Sequence, residues 1–183
     1  MMQEAKIDTF GVGERLITAK SAPVFGGVYK LAAVEDEQGN IIPKIKISEN
    51  TAKITNPHYK KLYRFYDNES GKALADELCV YDETIDSTKP HTIFDPDAIW
   101  KTKTLTDYTA RELHVTVFKN GELVYKQPSL YEIRIYCAEQ LETLWDEVKR
   151  FENPHTYYVD LSKKLWDIKN ELLEKSKDGK NLK

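Results

Sequence analysis

The stretch KKLYRFYDNESGKALADELCVYD, residues 60–82, decides how the chain is read. Aromatic residues, Tyr63, Phe65 and Tyr66, crowd Lys60 to Asp67, which favours sheet over helix. Asn68-Glu69-Ser70-Gly71 then gathers three turn-forming residues in four positions, and Lys72 to Asp82 runs back as the partner strand. An antiparallel strand pair in mid-chain therefore sets the architecture, and the flanking segments are read against it.

Upstream, Val24 to Val34 reads as a strand, with Gly26-Gly27 marking a bulge or a close backbone approach. The polar turn Glu35 to Asn40 leads into Ile41 to Ser48, where Ile45 and Ile47 alternate with Lys44 and Lys46. That period of two predicts a half-buried strand. Downstream, residues 84–110 give weak signals, with Pro90 and Pro96 as breakers, and are expected to be mostly loop. Leu113 to Phe118 and Glu122 to Tyr125 flank Lys119-Asn120-Gly121, and Asn-Gly predicts a tight hairpin because both residues tolerate positive φ.

The last third changes character. Ser129 followed by Glu132 is a capping-box pattern. Leu130, Ile133, Cys137, Leu141, Leu144 and Val148 then recur at helical steps, an apolar stripe expected to face a core. Asn153-Pro154 is expected to stop this helix. A second helix, starting near Asp160, carries Leu161, Leu165, Ile168 and Leu172 on one face and is expected to fold back on the first. The expected fold class is α+β: an antiparallel β-rich region followed by two C-terminal helices.

Bulk properties narrow the function. The chain has 183 residues, enough for one domain with a real core or two small, interdependent subdomains. Hydrophobic residues make up 40% and charged residues 31%, so general disorder is excluded. A net charge of −3 argues against a protein that coats nucleic acid. No apolar run reaches the ~20 residues of a membrane span. Cys79 and Cys137, with His58, His91, His114 and His155, form no compact metal-binding spacing. They read as reduced cysteines in or near the core and ordinary polar histidines, consistent with a cytoplasmic protein. Trp100, Trp145 and Trp166 read as packing residues. Asp82, Glu83 and Asp86 read as a solvated face, and Ser162 has no base near it in sequence.

One segment could carry chemistry. In IDTFGVGERL, residues 7–16, two glycines one residue apart precede Glu14 to Thr18, a possible short helix. Such a turn can aim consecutive backbone N–H groups at one anion, and the helix adds its positive end. The other reading is a plain Gly-x-Gly turn. The dinucleotide fingerprint is excluded, because Leu16 stands where its third glycine would fall.

The runs KIDTFGVGERLITA, PVFGGVYKLAAVE, PKIKISEN, KITNP, LYRFYD and LWDEVKRFENPHTYYVDLSKKLWDIK together resemble the carboxyl-terminal part of nicotinate phosphoribosyltransferase, in order, from about Lys6 to Leu173. The resemblance implies an enzyme that forms nicotinate mononucleotide and pyrophosphate from nicotinate and phosphoribosyl pyrophosphate. It also implies ATP hydrolysis, with ATP and Mg serving the parent enzyme and neither expected on this segment alone. It places residues 1–22 at the end of an irregular α/β barrel, as a remnant carrying the phosphate turn. A β-rich accessory region over 23–127, a helical hairpin over 128–175 and a flexible tail over 176–183 follow.

Carried over, Gly11, Val12 and Gly13 would offer backbone N–H groups to the nucleotide's 5′-phosphate, and Arg15 could face it. Glu14 departs from relatives that have Thr there, and is expected to point away from the phosphate. The family's phosphorylated histidine and nicotinate-stacking aromatics lie upstream of Lys6, so no catalytic residue is expected here. Met1-Met2 then reads as an internal point of a longer parent. The segment's expected partner is the missing N-terminal part or a second subunit, with neither nucleic acid nor membrane. The alternative is a non-catalytic α+β interaction module derived from that enzyme.

Overall fold

The structure, a computed structural model, describes Thr9, Gly11 and residues 27–177. The chain divides into two compact units, Met1–Lys30 and Leu31–Lys183. The expected helix at Glu14 to Thr18 and the barrel remnant lie outside the described residues.

The second unit is α+β, and its centre is the strand pair anticipated from residues 60–82. Strands β3 (Lys60–Asp67) and β4 (Ala73–Val80) run antiparallel, with Lys60 opposite Val80 and Phe65 opposite Ala75. A register shift at Phe65/Tyr66 precedes the turn. The Asp67 carboxylate closes that turn by accepting from the Ser70 backbone N–H at 2.8 Å, and Gly71 supplies a φ of 68°. Two further strands complete a four-stranded sheet in the order β10-β4-β3-β7: β7 (Tyr108–Glu112), antiparallel to β3, and β10 (Val159–Leu161), parallel to β4.

Three smaller hairpins accompany it. Strands β1 (Ala33–Glu35) and β2 (Ile41–Pro43) are much shorter than the sequence suggested: Gly27–Ala32 and Lys44–Ser48 are not strand. The Asp36 carboxylate accounts for the stop between β1 and β2, accepting from the Gln38 and Asn40 backbones. Residues 84–110, expected as loop, hold β5 (His91–Asp95) and β6 (Ala98–Leu105) as well as the start of β7. The prolines bound these strands rather than break them. Pro90 precedes β5 and Pro96 sits in the turn between β5 and β6, where neither has to donate a ladder hydrogen bond. The Asn-Gly hairpin forms as expected but is brief, with β8 (Phe118–Lys119) and β9 (Glu122–Leu123) around Asn120 at φ 52° and Gly121 at φ 82°.

The helical third departs most from expectation. Helix α1 (Leu130–Glu142) opens on the anticipated capping box, with Ser129 and Glu132 exchanging side-chain-to-backbone hydrogen bonds. It ends at Thr143 rather than running on toward Asn153-Pro154, and the short α2 (Asp146–Lys149) follows. Lys72 accounts for the early stop: its ammonium reaches the Glu142 carbonyl at 2.6 Å, and Thr143 O accepts from Ala73 N at 2.7 Å. The start of β4 thus satisfies the last carbonyls of the helix.

The second helix, α3 (Lys163–Lys177), starts three residues later than expected, because Val159–Leu161 is spent on β10. It packs on the sheet: Leu165 is fully buried with Val80 and Leu161, flanked by Leu78, Trp166 and Ile168. The opposite face of the sheet lies under the β5–β6 hairpin, where Phe65, Ala75, Ile93, Leu105 and Tyr108 form a second cluster. No side chain of α1 is buried, and the stripe expected to face a core is open, with Leu130 76% and Leu141 51% exposed. Cys137 on that helix is exposed, unlike the buried Cys79. Trp100 is exposed too, whereas Trp166 donates its indole N–H to the Pro96 carbonyl.

Candidate functional site

Of the residues expected to hold phosphate, Val12, Gly13 and Arg15 lie outside the described residues, as does Glu14. Gly11 is described. It is exposed, its φ lies outside the left-handed region, and among the described residues a Cβ built on it meets no atom within 4 Å. Among the described residues nothing near it requires glycine.

The described chemistry gathers on β4. Asp76 and Glu77 are adjacent and buried on a central strand, so their side chains leave by opposite faces, and each needs its own partners. Asp76 takes the Arg64 guanidinium in a two-point grip, Nε to Oδ1 at 2.7 Å and Nη2 to Oδ2 at 2.8 Å. The Tyr157 hydroxyl adds a third hydrogen bond to Oδ1 at 2.7 Å. That bond holds the segment entering β10 against β4 and β3. The Asp76 hydrogen bond raises the affinity of Arg64 for its proton. Burial, and then the bond to Asp76, push the Tyr157 phenol up, so it stays a donor.

On the other face, Glu77 Oε2 lies 2.9 Å from His91 Nε2 and accepts from the Cys79 thiol at 3.5 Å. His91 stacks on Phe65 with ring centres 5.2 Å apart. Burial, then the Glu77 and Glu83 carboxylates, push the Cys79 thiol up, which removes it as a nucleophile at neutral pH. Glu83, read in the sequence as part of a solvated face, is a structural clasp. It accepts from the Val80 N–H at 2.6 Å and from the Ser162 hydroxyl at 2.7 Å. Ser162 also accepts from Leu165 N at 3.2 Å, so its oxygen caps α3. The contact was invisible in sequence because 79 residues separate the pair.

Beside these satisfied groups lies one that is not. Asp160 on β10 stands opposite Glu77 in the parallel register and is 4% exposed. Among the described residues its carboxylate has no hydrogen-bond partner. Burial, then the nearby Asp95 and Glu77 charges, raise its pKa to about 6. Because the folded value lies above the unfolded 3.8, the cost is absent below about pH 4, grows through pH 6 and is complete above it. The shift corresponds to roughly 2–3 kcal/mol. Asp160→Asn is therefore expected to stabilise the chain by about 1–3 kcal/mol at neutral pH and to leave stability unchanged near pH 4. Urea unfolding of both proteins across that range checks it; equal stability at neutral pH would mean that solvent reaches the carboxylate. Asp160 borders a cleft of about 510 Å³, which also takes in the β5–β6 hairpin and the Trp145–Tyr158 segment.

Comparison with known proteins places this fold. Residues 59–169, more than half of the chain, match the sequence model of the nicotinate phosphoribosyltransferase C-terminal domain. Nicotinate phosphoribosyltransferase of Bacillus subtilis is 38% identical over 96% of this chain, which spans 36% of that protein. The Dictyostelium discoideum enzyme of the same name is 33% identical over 93% of the chain and 29% of its own length. A crystal structure of human nicotinic acid phosphoribosyltransferase superposes with a TM-score of 0.58 at 26% identity, covering 64% of this chain and 23% of that one. The chain spans about a third of the length of the curated relatives it matches. With the sequence match over residues 59–169 and a structural likeness in agreement, the chain belongs to the nicotinate phosphoribosyltransferase family and carries that family's C-terminal domain.

Proposed function

We propose that this chain works as the C-terminal part of a nicotinate phosphoribosyltransferase. That enzyme joins nicotinate to phosphoribosyl pyrophosphate, releases pyrophosphate and hydrolyses ATP, and so feeds NAD synthesis by salvage in the cytoplasm. The match over residues 59–169 carries the reading. Gly11, Val12 and Gly13 are proposed as backbone donors to the 5′-phosphate, with Arg15 beside them. ATP and Mg are proposed for the enzyme as a whole. Among the described residues, no group of three or more His, Cys, Asp or Glu side chains is placed to hold a metal ion, and no helix is long and apolar enough to cross a membrane.

The uncovered apolar surface supports a structural role within a larger assembly. Leu130 and Tyr131 on α1, with Phe118 and Leu123 on the β8–β9 hairpin, are each more than 60% exposed. A surface of this kind suits burial against the rest of a longer enzyme or against a second subunit. The same surface favours a second reading, a non-catalytic α+β module that binds a partner.

The purified 183-residue chain is expected to form no nicotinate mononucleotide from nicotinate, phosphoribosyl pyrophosphate and ATP. The full-length enzyme carrying this segment is expected to turn over. Product from the chain alone above an empty-vector control would show that it contains catalytic residues. An inactive full-length protein would favour the binding module.

A further inference from the structure

The cleft beside Asp160 has the size of a small-molecule site and contains an ionisable group that the fold does not use. Asp160 shares a face of the sheet with Glu77, because Asp160 pairs with Glu77 while Leu161 pairs with Leu78 and packs under α3 on the other side. The charges around it are accounted for one by one. On β4, Glu77 is held by His91 of β5, and Asp76 leaves by the opposite face to Arg64. Also on β5, Asp95 is 3.6 Å from Lys101 of β6. Lys103 on β6, with Glu147 and His155 on the facing segment, also lines the cleft, as do Tyr157 and Tyr158. The Tyr157 hydroxyl is committed to Asp76. None of the cations hydrogen-bonds Asp160, and its two strongest charged neighbours are both carboxylates.

A buried, ionisable and unpartnered carboxylate at a cleft wall lacks a donor that carries positive charge. We propose that this cleft binds a small organic cation, with an ammonium or amidinium group on the Asp160 carboxylate and the half-exposed Trp145 ring flanking its apolar stem. A metal ion fits less well, since no group of three or more ligating side chains is assembled among the described residues. The volume, about 510 Å³, lies within the range of small-molecule sites, so the cation on Asp160 can carry a further organic body.

The test uses the 183-residue chain, with n-butylammonium and agmatine as probes and n-butanol as the neutral isostere, titrated calorimetrically at about pH 7.5 and constant ionic strength. Both cations are expected to bind saturably and butanol not at all. Asp160→Asn is expected to weaken the cations at least roughly tenfold, because it removes the charge and keeps the shape. The native chain provides a second measurement that does not depend on how the variant folds. At about pH 5 most of the Asp160 carboxyl is protonated, so affinity is expected to fall about tenfold relative to pH 7.5. Absence of saturable binding, or binding undiminished both in Asp160→Asn and at low pH, overturns the proposal and leaves Asp160 a buried carboxyl without a ligand. Neither result depends on whether the larger enzyme makes nicotinate mononucleotide.

Discussion

Asp76→Ala is expected to destabilise the second unit by about 3 kcal/mol or more. The substitution removes three hydrogen bonds at once, two from Arg64 and one from Tyr157. It also leaves a guanidinium with 20% of its side chain exposed and no carboxylate in reach. Breaking a fully buried pair costs about 3–5 kcal/mol, and the exposed fifth of Arg64 sets the expectation at the lower end. Two further variants separate charge from packing. Tyr157→Phe keeps the ion pair and loses one bond to a charged acceptor, an expected cost of about 1.5 kcal/mol. Replacing both Arg64 and Asp76 by apolar residues of similar volume is expected to cost less than Asp76→Ala alone, since no charge is then stranded. Urea midpoints with unchanged slopes check all three. A loss below about 1 kcal/mol for Asp76→Ala would place the pair among the weak, solvated ion pairs of a surface.

The same residues show how much of this protein could be read before its structure. The β3–β4 pair was legible because its strand residues are unlike its turn residues, and the Asn-Gly hairpin and Ser129 capping box were legible for the same local reason. Strands β5 and β6 were not, because proline signals a break without saying whether it falls within an element or between two. Strand β10 was hidden by its own composition. Asp160 ahead of an apolar periodicity looks like a helix start, and only pairing with β4, more than 80 residues earlier in the chain, makes it a strand. The α1 stripe was read as facing a core and is open instead, since periodicity does not report what lies against a face, and Tyr131, Ile135 and Tyr136 put further apolar residues off the stripe. The partnered carboxylates of β4 and the unpartnered one of β10 are likewise products of the sheet register. No spacing along the chain separates Asp160 from Asp76, yet one is matched by Arg64 and the other by nothing.

Side chains at the glycine turn are expected to act on ligand binding rather than on folding. Gly11 is the test position, since it is exposed, its φ lies outside the left-handed region and no described residue stands where a Cβ would go. Gly11→Val in the 183-residue chain is therefore expected to change the thermal midpoint by little, within the ±0.5 kcal/mol typical of surface substitutions. In the full-length enzyme the same substitution would put two methyl groups where, on the proposed function, a phosphate approaches the backbone. Losing one or two charge-assisted hydrogen bonds, of roughly 1.5–3 kcal/mol each, is expected to weaken nucleotide affinity about ten- to a thousandfold. Gly13→Val is expected to act in the same direction, restricting φ to negative values as well as blocking the approach. Arg15→Met provides a graded companion: removing one charge that could face the phosphate is expected to weaken binding and to reduce its dependence on salt. Nucleotide affinity and thermal midpoint, measured on the same full-length variants, decide the matter. A collapsed midpoint with unchanged affinity would show that the glycines serve only the geometry of the chain, and the phosphate site would then have to be sought elsewhere in the enzyme.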